Sequence, residues 1–381
     1  MRAYLDNAAT TMVCPEAAQA ALTVMTENYG NPSSTHTMGR EAAKILEHAR
    51  MQLAKALGAR PEEIFFTSGG TESDNWALSS GAELMKRRGG HIISSAAEHS
   101  AVLRTLDALE KRGFEITRLK PQSDGSIAVN DVVGALREDT VLVSLMMVNN
   151  ETGGITDISG ISKALKSSGS SALLHTDAVQ GFLKLPFSAK ALGADLMSIS
   201  GHKIHAPKGV GALYIKGGAK ALNLAPLLFG GGQENGRRPG TEALPLIAAF
   251  GQAAEIGREA LENSLSHMRR MKELATSRLT SDNPEIKILS GGAPHILSIS
   301  LPGYKSEVLM NYLESREIFV SKSSACKKGG RSYVLEAAGH PPAVIDGALR
   351  IGFSRYTTED EVVSLCSGLR DAAKELFTVL R

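Results

Sequence analysis

Lys203 closes the run Met197-Ser198-Ile199-Ser200-Gly201-His202-Lys203, in which a strand-like apolar stretch delivers a lysine into a turn of glycine, serine and histidine. The chain then passes through Pro207-Lys208-Gly209-Val210-Gly211 into a second apolar stretch. Schiff-base chemistry needs one amine held rigidly, with hydroxyl and imidazole groups close by to grip a phosphate. A lysine in a loop is otherwise a solvated surface residue. What lies upstream decides between the two readings.

Asp177 ends the apolar run Ala172-Leu173-Leu174-His175-Thr176-Asp177, the position at which open parallel α/β sheets place their ligands. A carboxylate there keeps the ring nitrogen of a pyridoxal phosphate protonated, so that the ring accepts electrons. Its plain alternative is a cap on the following helix. A third piece is Ile64-Phe65-Phe66-Thr67 followed by Ser68-Gly69-Gly70-Thr71-Glu72. Small residues such as Gly70 let backbone approach an anion, the next helix offers free N–H groups, and Thr71 adds a hydroxyl. The same turn would also serve simply to pack a helix on a sheet. It matches neither the Walker pattern nor a glycine-spaced dinucleotide fingerprint.

Three cysteines differ in their settings. Cys366 stands among apolar residues at helical spacing and reads as a core thiol. Cys14 precedes Pro15 at a helix start. Cys326 lies in Ser321-Lys322-Ser323-Ser324-Ala325-Cys326-Lys327-Lys328-Gly329-Gly330-Arg331, where four basic residues and few apolar ones predict an exposed loop in a positive field. Such a field favours thiolate over thiol.

These residues need a scaffold, and the pattern supplies one. Strands are predicted at 91–95, 114–119, 141–148, 172–177, 196–200 and 211–215, with helices such as 41–57 and 131–138 between them. That alternation predicts an α/β fold with a mainly parallel sheet flanked by helices. A single long helical pattern follows over 248–279. It leads to strands at 296–301 and 318–321 and a final helix over 358–380.

Composition narrows the function. The chain has 381 residues, 43% hydrophobic and 22% charged, enough for a large core and two domains. A net charge of +2 gives no electrostatic reason for nucleic-acid binding. No signal peptide or membrane-length apolar run is visible. Three cysteines without CxxC spacing argue against a disulfide framework or a thiolate metal site, and no metal is expected. A reducing cytoplasm is the expected setting.

The ordered motifs resemble the class V aminotransferase group of fold-type I pyridoxal-phosphate enzymes, and within it the cysteine desulfurases. The resemblance runs nearly end to end, through Tyr4-Leu5-Asp6-Asn7-Ala8-Ala9-Thr10-Thr11, Gly30-Asn31-Pro32-Ser33-Ser34, Glu98-His99 and Asn149-Asn150-Glu151-Thr152-Gly153. It continues through the Asp177 and Lys203 motifs, Gly230-Gly231-Gly232-Gln233-Glu234, Arg238-Pro239-Gly240-Thr241 and Ser323-Ser324-Ala325-Cys326. It implies a large cofactor domain over 15–247 with a seven-stranded sheet. A smaller α+β domain would be formed by 1–14 and 248–381 and carry the cysteine loop.

The resemblance also implies roles. Lys203 would join pyridoxal phosphate covalently and move the Cα proton of L-cysteine, and Cys326 would take the sulfur as a persulfide. His99 would stack on the ring and relay protons, Gln180 would bond the ring phenolate oxygen, and Asn7 and Asn150 would stand near the substrate. Gly70, Thr71, Ser200 and His202 would hold the phosphate, with Thr241 reaching it from a second subunit of a homodimer. Arg350 would bind the substrate carboxylate, a planar anion that suits a guanidinium fork. The persulfide would pass to a protein acceptor, such as an iron–sulfur scaffold or a thiolation protein.

Three departures from the family pattern stand out. Lys327-Lys328-Gly329-Gly330-Arg331 is shorter and more basic than the family's usual segment, which leaves the acceptor open. Gly352 and Ser354 exchange the family's more frequent order. The sequence stops at Arg381, so the longer tail that docks a scaffold protein is expected to be missing. Two rival readings remain: a class V transaminase or lyase acting on serine, kynurenine-like or selenocysteine substrates, and a non-catalytic sulfur-relay module.

Overall fold

The computed structural model describes residues 2–322 and 330–376. Among them are the strands β1 (Ala3–Tyr4), β2 (Ile64–Thr67), β3 (His91–Ser95), β4 (Glu115–Leu119), β5 (Thr140–Ser144), β6 (Leu173–Asp177), β7 (Leu196–Ser200) and β8 (Gly211–Ile215). The second half adds β9 (Lys287–Ile288), β10 (Ile296–Ser300), β11 (Ile318–Phe319), β12 (Ser321–Lys322) and β13 (Ala348–Gly352). Helices α1 (Pro15–Thr26), α2 (Thr37–Leu57), α3 (Gly70–Met85), α4 (Ser100–Lys111), α5 (Val129–Ala135), α6 (Ile158–Ser167), α7 (Ala189–Leu192) and α8 (Gly218–Ala221) accompany the first half. The second half carries α9 (Leu244–Glu259), α10 (Leu261–Asp282), α11 (Ser306–Glu314), α12 (Tyr333–Ala337), α13 (Pro342–Asp346) and α14 (Glu359–Glu375).

Seven strands form one sheet in the order β2-β8-β7-β6-β5-β3-β4. Only β8 runs against its neighbours β7 and β2, so the sheet is mainly parallel. Strands β5 to β8 are buried along their whole length, as expected where helices cover both faces. One apolar core lies between the sheet and α1, α2, α6 and α9, and a second lies under α3 and α4. A third core gathers Ala3 and Leu5 with Met268, Leu297, Ile351 and Leu365 around the antiparallel sheet β12-β13-β10-β9. The N-terminal segment is tied there by parallel pairing of β1 with β11 and by a bridge from Asp6 to Gly352.

The larger differences from the sequence pattern are three. The single helix predicted over 248–279 is two, divided at Ala260. The two halves enter different cores: α9 buries Phe250 and Ala253 in the sheet's core, whereas α10 buries Met268 and Met271 in the third. The strand predicted over 141–148 loses regular pairing after Ser144, although Leu145 and Met147 still donate to the His175 and Asp177 carbonyls. The strand predicted over 318–321 is β11 and β12, which pair in different sheets. Among the described residues no helix is long and apolar enough to cross a membrane.

Candidate active site

A cleft of about 350 Å³ opens where β6 and β7 end, and Arg350 from β13 joins its wall. The parallel pairing of β6 with β7 fixes the spacing of its two central groups. Asp177 is the last residue of β6, and Lys203 ends the one-turn helix Gly201–Lys203 that follows β7. Lys203 Nζ donates to the main-chain oxygens of Ala8 at 2.7 Å and Ala9 at 2.6 Å. Burial, then the charge of Arg350, pull its pKa down to about 8, against the opposing pull of Asp6 and Asp177. The free amine near neutral pH is thereby on the order of a hundredfold more abundant than for an ordinary lysine.

The opposite wall is acidic. Asp177 Oδ1 accepts the Val179 N–H at 2.9 Å, and burial raises the carboxyl's pKa while His99 and Lys203 oppose the rise. Asp74, on α3, lines the same cleft at 1% exposure and leaves Oδ1 without a hydrogen bond. Burial and the nearby Asp177 push its carboxyl well above the ordinary range. Glu98 is fully buried at the foot of α4, where burial drives it up to about 8 although the Ser95 hydroxyl and the Met146 N–H donate to it. His175 lies 3.6 Å from Asp74, but burial takes it down to about 3, so this imidazole is neutral. Ser144 and Ser198 hold its two ring nitrogens at 2.8 and 3.0 Å.

At the far end, α3 begins at Gly70 with no side chain capping its first N–H groups. A Cβ at Gly70 would sit 2.8 Å from Val179 Cγ2, so the close approach of turn and wall requires glycine. Thr71, Ser200 and His202 line the cleft with Gly70. His202 Nδ1 lies 3.3 Å from Thr10 Oγ1, and burial with the charges of Lys203, Lys208 and Lys184 lowers it to about 4. The result is a set of uncharged donors around a free helix N-terminus, a cradle for a phosphate.

His99, Asn150, Gln180 and Arg350 also line the cleft. His99 caps α4, its Nδ1 accepting the Ala101 N–H at 3.1 Å, which leaves the ring proton on Nε2. Gln180 spends one amide hydrogen on the Ala8 carbonyl at 2.8 Å, and its Oε1 lies 3.2 Å from His295 Nε2, so a single N–H stays free. Arg350 is 3% exposed, bonded to Asp6 Oδ1 and the Asn150 carbonyl at 3.0 Å each, with Nε unpartnered. Asn150 Oδ1 is likewise buried without a partner.

Two predicted site residues stand elsewhere. Asn7 does not line the cleft; its amide donates to the Tyr4 and Gly352 carbonyls at 3.0 Å each and ties the N-terminus to β13. Thr241 is exposed and away from this chain's cleft. Cys326 lies outside the described residues. Both flanks of its segment reach the site: Ser321 pairs in register with Arg350, while Tyr333 lines the cleft and donates its hydroxyl to the Glu98 carbonyl at 2.7 Å. Asp74 carries no distinguishing signal in the sequence, and the motifs that hold Glu98 and Glu151 do not reveal their acidity, which is altered by burial that only the tertiary fold creates. Burial lifts Glu151 to about 7, against the Ser332 hydroxyl that donates to it and the charge of Arg350.

A family model described as Aminotransferase class-V matches residues 3–365. The cysteine desulfurase IscS of Klebsiella pneumoniae is 40% identical, over 94% of this chain and 89% of its own. A solved NifS-like protein superposes with a TM-score of 0.93 at 37% identity, covering 99% of this chain and 100% of the other. The structure of SspA in complex with cysteine gives a TM-score of 0.80 at 31% identity, covering 93% and 100%.

Proposed function

The chain belongs to the class-V aminotransferase family, and within it we propose that it is a pyridoxal-phosphate-dependent cysteine desulfurase. It would convert L-cysteine to L-alanine and leave the sulfur as a persulfide on Cys326. The observation that carries this reading is the placement of a softened amine, Lys203, with Asp177 in one cleft, which Tyr333 beyond the Cys326 segment lines and whose Arg350 pairs in register with Ser321 before it.

The cleft fits the family's cofactor on its own chemistry. The uncapped α3 N-terminus with Thr71, Ser200 and His202 would hold the phosphate, and the glycine at position 70 leaves it room. Asp177 would take the ring N–H, and the remaining N–H of Gln180 would reach the phenolate oxygen. His99 would cover the ring. When bound, pyridoxal phosphate supplies an electron sink for the pair released at the substrate Cα.

The chain's own groups do the rest. Arg350 binds the substrate carboxylate with Asn150 beside it, and Lys203, as free amine, removes the Cα proton and later returns one. Cys326 thiolate attacks the substrate sulfur; the new S–S bond forms as the Cβ–S bond breaks. The electron pair left on Cβ takes up a proton, so the fragment leaves as alanine and the sulfur stays on Cys326. Asp177 keeps its partner's positive charge in place throughout.

Leu228 and Phe229 are 45% and 89% exposed beside the Gly230–Gly232 turn. Apolar surface of that kind supports a homodimer in which Thr241 of one chain completes the other's phosphate site. Two buried free thiols, Cys14 and Cys366, support a reducing cytoplasm. The sulfur then goes to a protein acceptor, an iron–sulfur scaffold or a thiolation protein.

The test is to incubate cofactor-loaded protein with L-cysteine and a reductant and to quantify alanine and sulfide together. Equal amounts from the wild type and neither from Cys326→Ser are expected. Alanine formed at the wild-type rate by Cys326→Ser would reject the assignment of the thiol.

A further inference from the structure

Behind the Lys203 turn lies a second, separate cavity of about 20 Å³, room for a single water-sized particle. It is bounded by Ile204 and His205 from that turn, Lys184, Gly257 at the end of α9, Ser264 of α10 and Arg355 beyond β13. Lys184 is 3% exposed. Its Nζ has no hydrogen-bond partner, and neither has Arg355 Nη2. His205 has its Nδ1 bonded to the Met12 carbonyl at 2.9 Å, and burial takes it down to about 3, so it adds no charge.

Buried ammonium and guanidinium groups normally sit against a carboxylate or a ring of carbonyls, since an unpaired buried charge is strongly unfavourable. Here the neighbouring charges that act on Lys184, those of Lys203 and Arg355, are both positive. Burial together with those charges brings Lys184 down to about 7. Arg355 Nη2 can only donate, and so can Lys184 Nζ in its ammonium form, the form that a bound anion favours. A water molecule would bring two protons of its own into this space, whereas a monatomic anion accepts from both groups and donates nothing.

We infer that this cavity is a structural site for one monatomic anion of chloride size, held between Lys184 Nζ and Arg355 Nη2. The ion would join the Lys203 turn to α9, α10 and the segment after β13, and so brace the rear of the reactive lysine without touching the cleft.

The experiment compares thermal unfolding of the cofactor-loaded protein in sodium chloride and in sodium gluconate at constant ionic strength. Chloride should raise Tm along a saturating curve, by about 2 °C at ten times its midpoint concentration. Lys184→Met should abolish the dependence, and Arg355→Gln should move the midpoint up by roughly tenfold. Identical melting in chloride and gluconate, or an undiminished response in Lys184→Met, would overturn the inference. Bromide anomalous scattering from wild-type crystals needs no variant: a peak between the two donors is expected, and a cavity without one would overturn the site as well.

Discussion

The two walls of the cleft are built on opposite charges and are bent by the same physics. On one side, burial pushes Asp74 and Asp177 up; on the other it pulls Lys203 and His202 down. Each wall is pressed toward neutrality, because desolvation and like charges both disfavour ionisation. A ligand with a cationic ring nitrogen at one end and a phosphate at the other reverses the pressure on both walls at once. The basic wall differs in having a second layer, Lys184 and Arg355, that such a ligand would not reach. Its acidic counterpart Asp74 lines the cleft itself, so the acids share one partner while the bases need two.

The strongest way to break this comparison is to remove the group at its centre. Lys203→Ala should lower kcat for alanine formation by at least about 10⁴-fold, since proton transfer and covalent attachment are lost together. Its melting temperature should stay close to that of the wild type, because no apolar core depends on this side chain. Asp177→Asn should cost roughly 10² to 10³-fold in kcat, the scale of a lost electrostatic partner in a dry site. Steady-state rates with matched cofactor occupancy check both. A Lys203→Ala rate within tenfold of the wild type would remove the lysine from the mechanism.

The sequence singled out Lys203 and Asp177 for a physical reason. Lys203 and Asp177 sit at strand ends, where an apolar run stops at a polar residue, and that change is visible in one dimension. Strands β3, β7 and β8 are bounded where the alternation of apolar and turn residues predicts them. The motif match also named Asn7, but such a match says nothing about where an amide's hydrogens are spent, and here two backbone carbonyls take them. The break at Ala260 was illegible because it follows from which core each half of the pattern enters. The acids behind Asp177 were hidden for a related reason: α3 and α4 bring Asp74 and Glu98 beside it only after the sheet has formed.

Those hidden acids give a sharper test in the cofactor-free protein. Glu98 titrates at about 8 when folded, above the ordinary carboxylate, so the folded state keeps a proton that the unfolded chain gives up. Its contribution to stability is therefore complete below pH 4.5 and is lost as pH rises through 8, by about 1.4 kcal/mol per pH unit in between. Urea unfolding between pH 6 and 8 should show Glu98→Gln losing about 2 kcal/mol less than the wild type over that span. Equal slopes for the two proteins would mean that Glu98 is ionised in the folded state.

His175 should give the mirror effect over a narrower range. Burial takes its folded pKa to about 3, below the ordinary histidine, so the unfolded chain binds a proton that the folded one refuses. Its contribution is present above pH 6.5 and is lost as pH falls toward 3, which amounts to about 2 kcal/mol by pH 5. His175→Gln can still bond to Ser144 and Ser198 while losing the titration, so it should unfold with a flatter response between pH 6.5 and 5. The Glu98 and His175 slopes have opposite signs and meet around neutrality. If His175→Gln leaves the acid limb unchanged, the ring is charged in the folded protein, and Asp74, 3.6 Å away, must then be its ionised partner instead of a neutral acid beside Asp177.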